Sequence, residues 1–232
     1  LYGFRLRCHQ KTIEKSTRCL DCKRTVSRCA FDMRSRRPNA GLVDEEQEYL
    51  QTPEPVPVPE RFWSFETDGP FERCLVCHRS FRDEPVPYLI EKAYERDEVV
   101  LELAVCAICQ TEMMREFSEA SLKLMQHFIG EHVDVEAQMR QFSEQFAGDV
   151  EPWVSKCLIR RSPVDPKAGY RVAARCVGEV LDTRFPPNAI SVAALEDMMK
   201  ILSPQTKGFL NDFTEKYFGV PTGNDVPTIL PV

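Results

Sequence analysis

The stretch Phe71-Glu-Arg-Cys-Leu-Val-Cys-His-Arg-Ser-Phe81 contains a C-x-x-C pair, and 28 residues separate this pair from a second one. Each pair holds two thiolates close enough to bind the same metal ion. Two such pairs supply the four sulfur ligands that Zn²⁺ favours in structural sites. The separation exceeds the about 15–20 residues usual between paired zinc cysteines. We predict one structural zinc ion bound by four cysteines: Cys74, Cys77, Cys106 and Cys109.

The residues between the two pairs account for the extra length because they have the pattern of a β-hairpin. Residues 87–94 and 99–105 are β-prone runs, and the polar residues 95–98 lie between them. The second pair then begins a helical pattern, in which apolar residues recur at three- and four-residue steps. Thiolates at the start of a helix accept its free backbone N–H groups, and the helix dipole favours their negative charge.

The order of cysteine knuckle, hairpin and helix over about residues 71–130 resembles a treble-clef zinc finger. The resemblance implies an α+β module whose metal ligands are the four paired cysteines. Treble clefs serve many unrelated functions, so the resemblance indicates an architecture and a metal but no activity.

A second copy of this module is predicted in the C-terminal region. The segment Cys157-Leu-Ile-Arg160 resembles the first knuckle, and the Met-Met helix near residue 198 matches the one near residue 113 at an offset of 85. The competing explanation is that two amphipathic helices share a pattern because each buries one face. At this offset Ser191 and Ala194 replace two zinc ligands, so the second copy retains only Cys157 and cannot bind zinc.

We therefore predict an α+β fold of duplicated treble-clef-like units, the first bound to metal and the second degenerate. Ser118 and Ser203 are predicted helix N-caps, and Cys176 is predicted to be a core thiol. The predicted organisation is a basic extension (1–42), an acidic helix with a Pro-rich linker (43–60), the zinc module (61–132), a bridging helix (133–150), the degenerate repeat (151–220) and a tail (221–232).

Charge divides the chain into a basic start and an acidic body. Residues 1–40 carry a net charge of +8, and the remainder carries −14. The acidic body disfavours binding of a phosphate backbone, whereas the basic arm would suit an anionic partner. The sequence leaves open whether residues 1–32 are native coding sequence. It also leaves open whether four further cysteines bind a second metal ion: Cys8, Cys19, Cys22 and Cys29.

Other uses of the paired cysteines are weaker hypotheses. Cys74-Leu-Val-Cys77-His78 also matches the haem-attachment pattern, but no export signal accompanies it and the second pair would have no role. A thioredoxin-like redox pair requires a βαβ context, whereas these pairs flank a hairpin. Catalytic zinc is disfavoured because four thiolates close the coordination shell. Coincidental buried thiols remain an alternative.

No Ser-His-Asp pattern, glycine-rich phosphate loop or H-E-x-x-H motif occurs in the sequence. Our leading hypothesis is a non-enzymatic, zinc-stabilised protein that acts through contacts with other proteins. The alternatives are nucleic-acid binding through the basic arm and an enzyme whose site lies between the two halves. Ten cysteines without an export signal or an apolar membrane segment favour metal binding and a cytoplasmic location.

Overall fold

The predicted hairpin between the two cysteine pairs is confirmed in a computed structural model, which describes residues 55–219. Strand β1 spans Pro87–Glu95 and strand β2 spans Glu98–Cys106. Arg96 and Asp97 join the two strands, and both have positive φ angles (53° and 65°). A two-residue hairpin turn of type I′ requires such angles, and its twist matches the right-handed twist of the strands.

Five antiparallel strands form one sheet, in the order β2-β1-β3-β4 with β5 also paired to β3. Strand β3 spans Tyr170–Val177, β4 spans Val180–Leu181 and β5 spans Asn188–Ser191. Because β1 pairs directly with β3, the first and second halves of the described chain share this sheet.

Six α-helices accompany the sheet within residues 55–219. Four of them form two broken helices. Each broken helix is interrupted by a short extended segment that includes a serine N-cap. The predicted caps Ser118 and Ser203 are confirmed, and a helix is present as α3 within the segment 133–150 where one was predicted. The helices are α1 (Ala107–Glu116), α2 (Glu119–His132), α3 (Val135–Gln145), α4 (Glu151–Val154), α5 (Val192–Ile201) and α6 (Pro204–Phe218).

One face of the sheet packs against the segment that precedes β1. Tyr88 stacks on Phe81 with ring centroids 3.8 Å apart, and Lys92 donates a hydrogen bond to the carbonyl of Trp63. The opposite face carries Leu89 and Glu91 beside Leu195 of α5. The sheet therefore lies between an irregular N-terminal layer and a helical layer.

Strand β2 lies at an edge of the sheet, and other parts of the chain partly cover that edge. The backbone N–H of Leu75 donates to the carbonyl of Ala104 at 2.8 Å. The carboxylate of Glu102 accepts hydrogen bonds from the backbone N–H of Phe65. The register between β1 and β2 also shifts between Ala93 and Tyr94.

Strand β1 pairs with β3 from Pro87 to Tyr94, and Glu91 lies opposite Ala173. Reciprocal hydrogen bonds link the two helix caps. The backbone N–H of Ser118 donates to Thr206 Oγ1 at 3.0 Å, and that of Ser203 donates to Ser121 Oγ at 2.9 Å. The Oγ atoms of Ser118 and Ser203 are 2.9 Å apart, so the two broken helices meet at their interruptions.

Candidate metal centre

The four cysteines of the predicted zinc site lie together in the structure, although they come from two separate elements. Cys74 and Cys77 lie in a tight turn closed by two hydrogen bonds, from Cys74 N–H to the Arg79 carbonyl and from His78 N–H to the Cys74 carbonyl. Cys106 ends β2 and caps α1, and Cys109 lies in the first turn of that helix. The hairpin therefore carries the second pair back to the first.

The sulfur geometry fits a tetrahedral metal ion. All four Sγ atoms lie within 4.8 Å of one another, and Cys77 Sγ is 3.8 Å from Cys106 Sγ. Zinc–sulfur bonds of about 2.3 Å at tetrahedral angles imply sulfur–sulfur distances of about 3.8 Å. The cluster is therefore suited to hold one ion of this size.

Backbone N–H groups stabilise negative charge on the sulfurs. The N–H of Cys106 donates to Cys74 Sγ at 3.4 Å, and the N–H of Cys109 donates to Cys106 Sγ at 3.5 Å. Both N–H groups lie at the start of α1, where the sequence predicted that thiolates would accept hydrogen bonds from free backbone N–H groups. These hydrogen bonds offset part of the cost of burying the thiolates that a metal ion requires.

The thiols differ in acidity. Burial raises the pKa of Cys77, but hydrogen bonds from the Arg79 backbone and the neighbouring cysteines outweigh it and lower that pKa to about 7. Burial raises the pKa of Cys106 and of Cys109, the latter also through hydrogen bonds with Cys77 and Cys106. Binding a metal ion to all four sulfurs must therefore release protons.

Exposure to solvent also distinguishes the four residues. Cys77 is exposed, whereas Cys74, Cys106 and Cys109 are buried. The turn containing Cys77 ends at His78, whose φ of 58° is left-handed. The sequence could not predict this difference, because it arises from how the turn packs against the end of β2.

The turn that begins at Cys157 has the same backbone hydrogen bonds as the turn that begins at Cys74, without the four thiols. The N–H of Leu158 donates to the Ala189 carbonyl at 2.7 Å, as that of Leu75 does to Ala104. The N–H of Ser191 donates to Cys157 Sγ at 3.3 Å, and the Ser191 hydroxyl lies 3.4 Å from the same sulfur. Arg161 has a left-handed φ of 56°, close to that of His78.

An ion pair links the turn that begins at Cys157 to α5. The guanidinium of Arg160 contacts the carboxylate of Asp197 and donates to the Ala193 carbonyl at 3.2 Å. Sequence reasoning missed this contact. The available signal was an arginine at the position of Cys77 together with an acidic residue one turn into α5.

A buried ion pair lies between the two halves of the sheet. Glu91 of β1 and Arg171 of β3 have side chains 5% and 4% exposed and contact each other directly. Burial raises the pKa of Glu91, and the attraction of Arg171 opposes that rise. They line a cleft of about 10 Å³, which has room for about one water molecule. This cleft is too small to bind an organic substrate.

Comparison of the chain with protein-family models, curated proteins and solved structures finds no match. No helix in residues 55–219 has the length and apolar character needed to cross a bilayer. Four cysteines considered as a second metal site lie outside the described residues: Cys8, Cys19, Cys22 and Cys29.

Proposed function

We propose that this chain is a non-enzymatic protein, stabilised by one structural zinc ion, that acts through contacts with other proteins. The convergence of four thiols within 4.8 Å carries the metal part of this proposal. Sulfur donors alone favour zinc over magnesium or calcium, which prefer oxygen ligands. With all four positions taken by thiolates, the ion would have no open position for a substrate or water.

The same proposal includes a treble-clef-like architecture for both halves. Knuckle, hairpin and helix follow one another around the four cysteines, in the order that the resemblance implies. The matching hydrogen bonds around Cys157, and the reciprocal ones between Ser118 and Ser203, support descent of both halves from one ancestral unit. In the second half, the Arg160–Asp197 ion pair and apolar packing take over the role of the metal.

An exposed aromatic residue supports the contact role. Phe65 is 83% exposed to solvent. Its backbone N–H nevertheless donates hydrogen bonds to both carboxylate oxygens of Glu102, at 2.9 and 3.0 Å. Aromatic side chains, Phe included, are enriched at protein–protein interfaces relative to the rest of the surface. The small cleft at Glu91 offers no comparable site for a small molecule.

The metal part is tested by substituting Cys74 with serine. We expect the zinc content to fall by one ion per chain and the near- and far-ultraviolet circular dichroism to show loss of structure. The reason is that structural zinc contributes about 10–16 kcal/mol in small modules, where binding and folding are coupled.

The matched control is Cys157→Ser, which makes the same change at the corresponding buried position of the second knuckle. This variant should keep its zinc and its fold. Equal zinc content in the two variants would contradict the assignment of the ligands.

The contact part is tested with a photoreactive phenylalanine analogue at position 65, in the cells that make the protein. We expect discrete cross-linked products of defined mass, because an interface anchor lies within reach of its partner. The same analogue at His127, an exposed polar position on α2, is the control. Identical product patterns at both positions would contradict a contact role for Phe65.

A further inference from the structure

The exposure of Cys77 gives solvent one direct route to the metal centre. The other three thiols are buried, and the left-handed turn at His78 holds Cys77 at the surface. A reagent that reacts with sulfur therefore meets Cys77 first. Buried thiols elsewhere, Cys157 and Cys176, provide references that the same reagent cannot reach directly.

A second thiol lies within reach of Cys77. Cys106 Sγ is 3.8 Å from Cys77 Sγ, and a disulfide requires the two sulfurs to approach to about 2.05 Å. Cys106 is buried at the end of β2 and paired with Tyr88 of β1, whereas Cys77 lies in a surface turn, so we expect the turn to supply the movement. These positions suit Cys77 as the thiol that first reacts with an oxidant from solvent and Cys106 as the thiol that then forms the disulfide.

We propose that Cys77 is a modification site at which a peroxide opens the metal centre, with Cys106 as the resolving thiol. The inference rests on the proposed zinc site and adds to it a route of oxidation.

The chemistry balances with hydrogen peroxide as the oxidant. The Cys77 sulfur attacks one peroxide oxygen, so an S–O bond forms, the O–O bond breaks and hydroxide leaves to become water. The Cys106 thiolate then attacks the sulfur of this sulfenic acid, so an S–S bond forms and a second hydroxide leaves as water. Two thiolates are oxidised, one peroxide is reduced, and two protons are consumed.

Loss of two ligands should release the metal ion. A disulfide between Cys77 and Cys106 removes half of the sulfur donors, and the remaining pair cannot close a tetrahedral shell. The disulfide also links the knuckle covalently to the end of β2. Oxidation would thus replace one cross-link between these elements with another.

The test treats the zinc-loaded full-length protein with hydrogen peroxide in the presence of dimedone, which traps sulfenic acids. Peptide mass spectrometry locates the adducts, and a colorimetric chelator follows zinc release. We expect the first adduct in this region at Cys77, a Cys77–Cys106 disulfide when dimedone is omitted, and zinc release that follows the disulfide. Cys157 and Cys176 should stay unmodified over the same interval.

Two variants separate the roles of the ligands. Cys77→His keeps a Cys₃His ligand set, which zinc accepts, but has no thiol at the exposed position. Its zinc release should be at least about tenfold slower, because the accessible thiolate is the reactive group. Cys109→His also keeps a Cys₃His set and retains Cys77 and Cys106, so its release should stay fast.

A first adduct at a buried thiol of the cluster would overturn the inference, as would equal release rates in Cys77→His and the wild type. The wild-type peptide map requires no substitution, so it decides the order of oxidation even if a variant folds poorly. A protein without zinc at these cysteines would contradict the proposed function. A zinc-loaded protein oxidised first elsewhere in the cluster would contradict only this inference.

Discussion

At the scale of single residues, the buried pair of Glu91 and Arg171 is the least expected feature of the sheet. It lies where β1 and β3 meet, although buried charges are costly unless each finds a partner. In the described part of the chain, Arg171 Nε and Nη2 have no hydrogen-bond partner, so the pair is incompletely satisfied. The pair is therefore a sensitive point of the fold.

We predict that Arg171→Met lowers the free energy of unfolding by about 3–5 kcal/mol near neutral pH, because it leaves a buried carboxylate unpaired. Without Arg171, nothing opposes the effect of burial, and the folded-state pKa of Glu91 rises further. A raised folded-state pKa gives stability at low pH that is lost as the pH rises through that value. Urea unfolding should therefore show a smaller loss at acidic than at alkaline pH.

The control for this prediction is the double variant Glu91→Leu/Arg171→Met. Replacing both charges with apolar groups of similar size should recover most of the stability and remove the added pH dependence. The same loss at every pH in the single variant would contradict an effect of Arg171 on the pKa of Glu91.

At the scale of secondary-structure elements, the two broken helices are coupled through their caps. Ser118 caps α2 by accepting from Ser121 N–H at 3.1 Å, and Ser203 caps α6 by accepting from Thr206 N–H at 3.3 Å. Because the two cap hydroxyls are also 2.9 Å apart, each helix start helps to order the other.

A double-mutant cycle should measure this coupling. Ser118→Ala and Ser203→Ala should each lower the free energy of unfolding by about 0.5–2 kcal/mol, as the loss of a serine cap does. Together they should cost less than the sum, by at least about 0.5 kcal/mol, because the first change already removes the hydroxyl contact.

Asp134 provides the control cap, since its carboxylate accepts from Ala137 N–H at 2.9 Å at the start of α3. It lies at the other end of α2 from Ser118, about 20 Å away at 1.5 Å per residue. Asp134→Ala should therefore add to Ser118→Ala without coupling. Additivity between the two serines as well would contradict a shared cap network.

Local signals in the sequence predicted these elements, whereas contacts between residues far apart in the sequence could not be predicted. The two β-prone runs and the polar residues 95–98 between them indicated the hairpin, and Ser118 and Ser203 indicated helix starts, because each signal spans a few residues. The spacing of the cysteines likewise predicted their convergence. The pairing of β1 with β3 depends on residues about 80 positions apart, and no local pattern encodes it.

At the scale of the whole molecule, one sheet makes the two halves depend on each other. Strand β1 belongs to the proposed metal-bound half and β3 to the proposed metal-free half, so unfolding of either exposes the paired strand of the other. The domain boundaries proposed from the sequence remain predictions, because a sheet shared by both halves does not define the residue at which one domain ends and the next begins. Nucleic-acid binding by the basic arm also remains a prediction, since residues 1–40 lie outside the described part.

The covered edge of β2 bears on the solubility of the protein. An open edge strand offers unpaired N–H and carbonyl groups to strands of other molecules, which is a route to aggregation. Here the backbone N–H of Leu75 donates a hydrogen bond to the Ala104 carbonyl on this edge. The turn that contains Leu75 also contains two of the four clustered thiols. Any event that detaches this turn would free a template for intermolecular sheet growth. We therefore expect metal binding at the cysteine cluster to protect the chain from self-association as well as from unfolding.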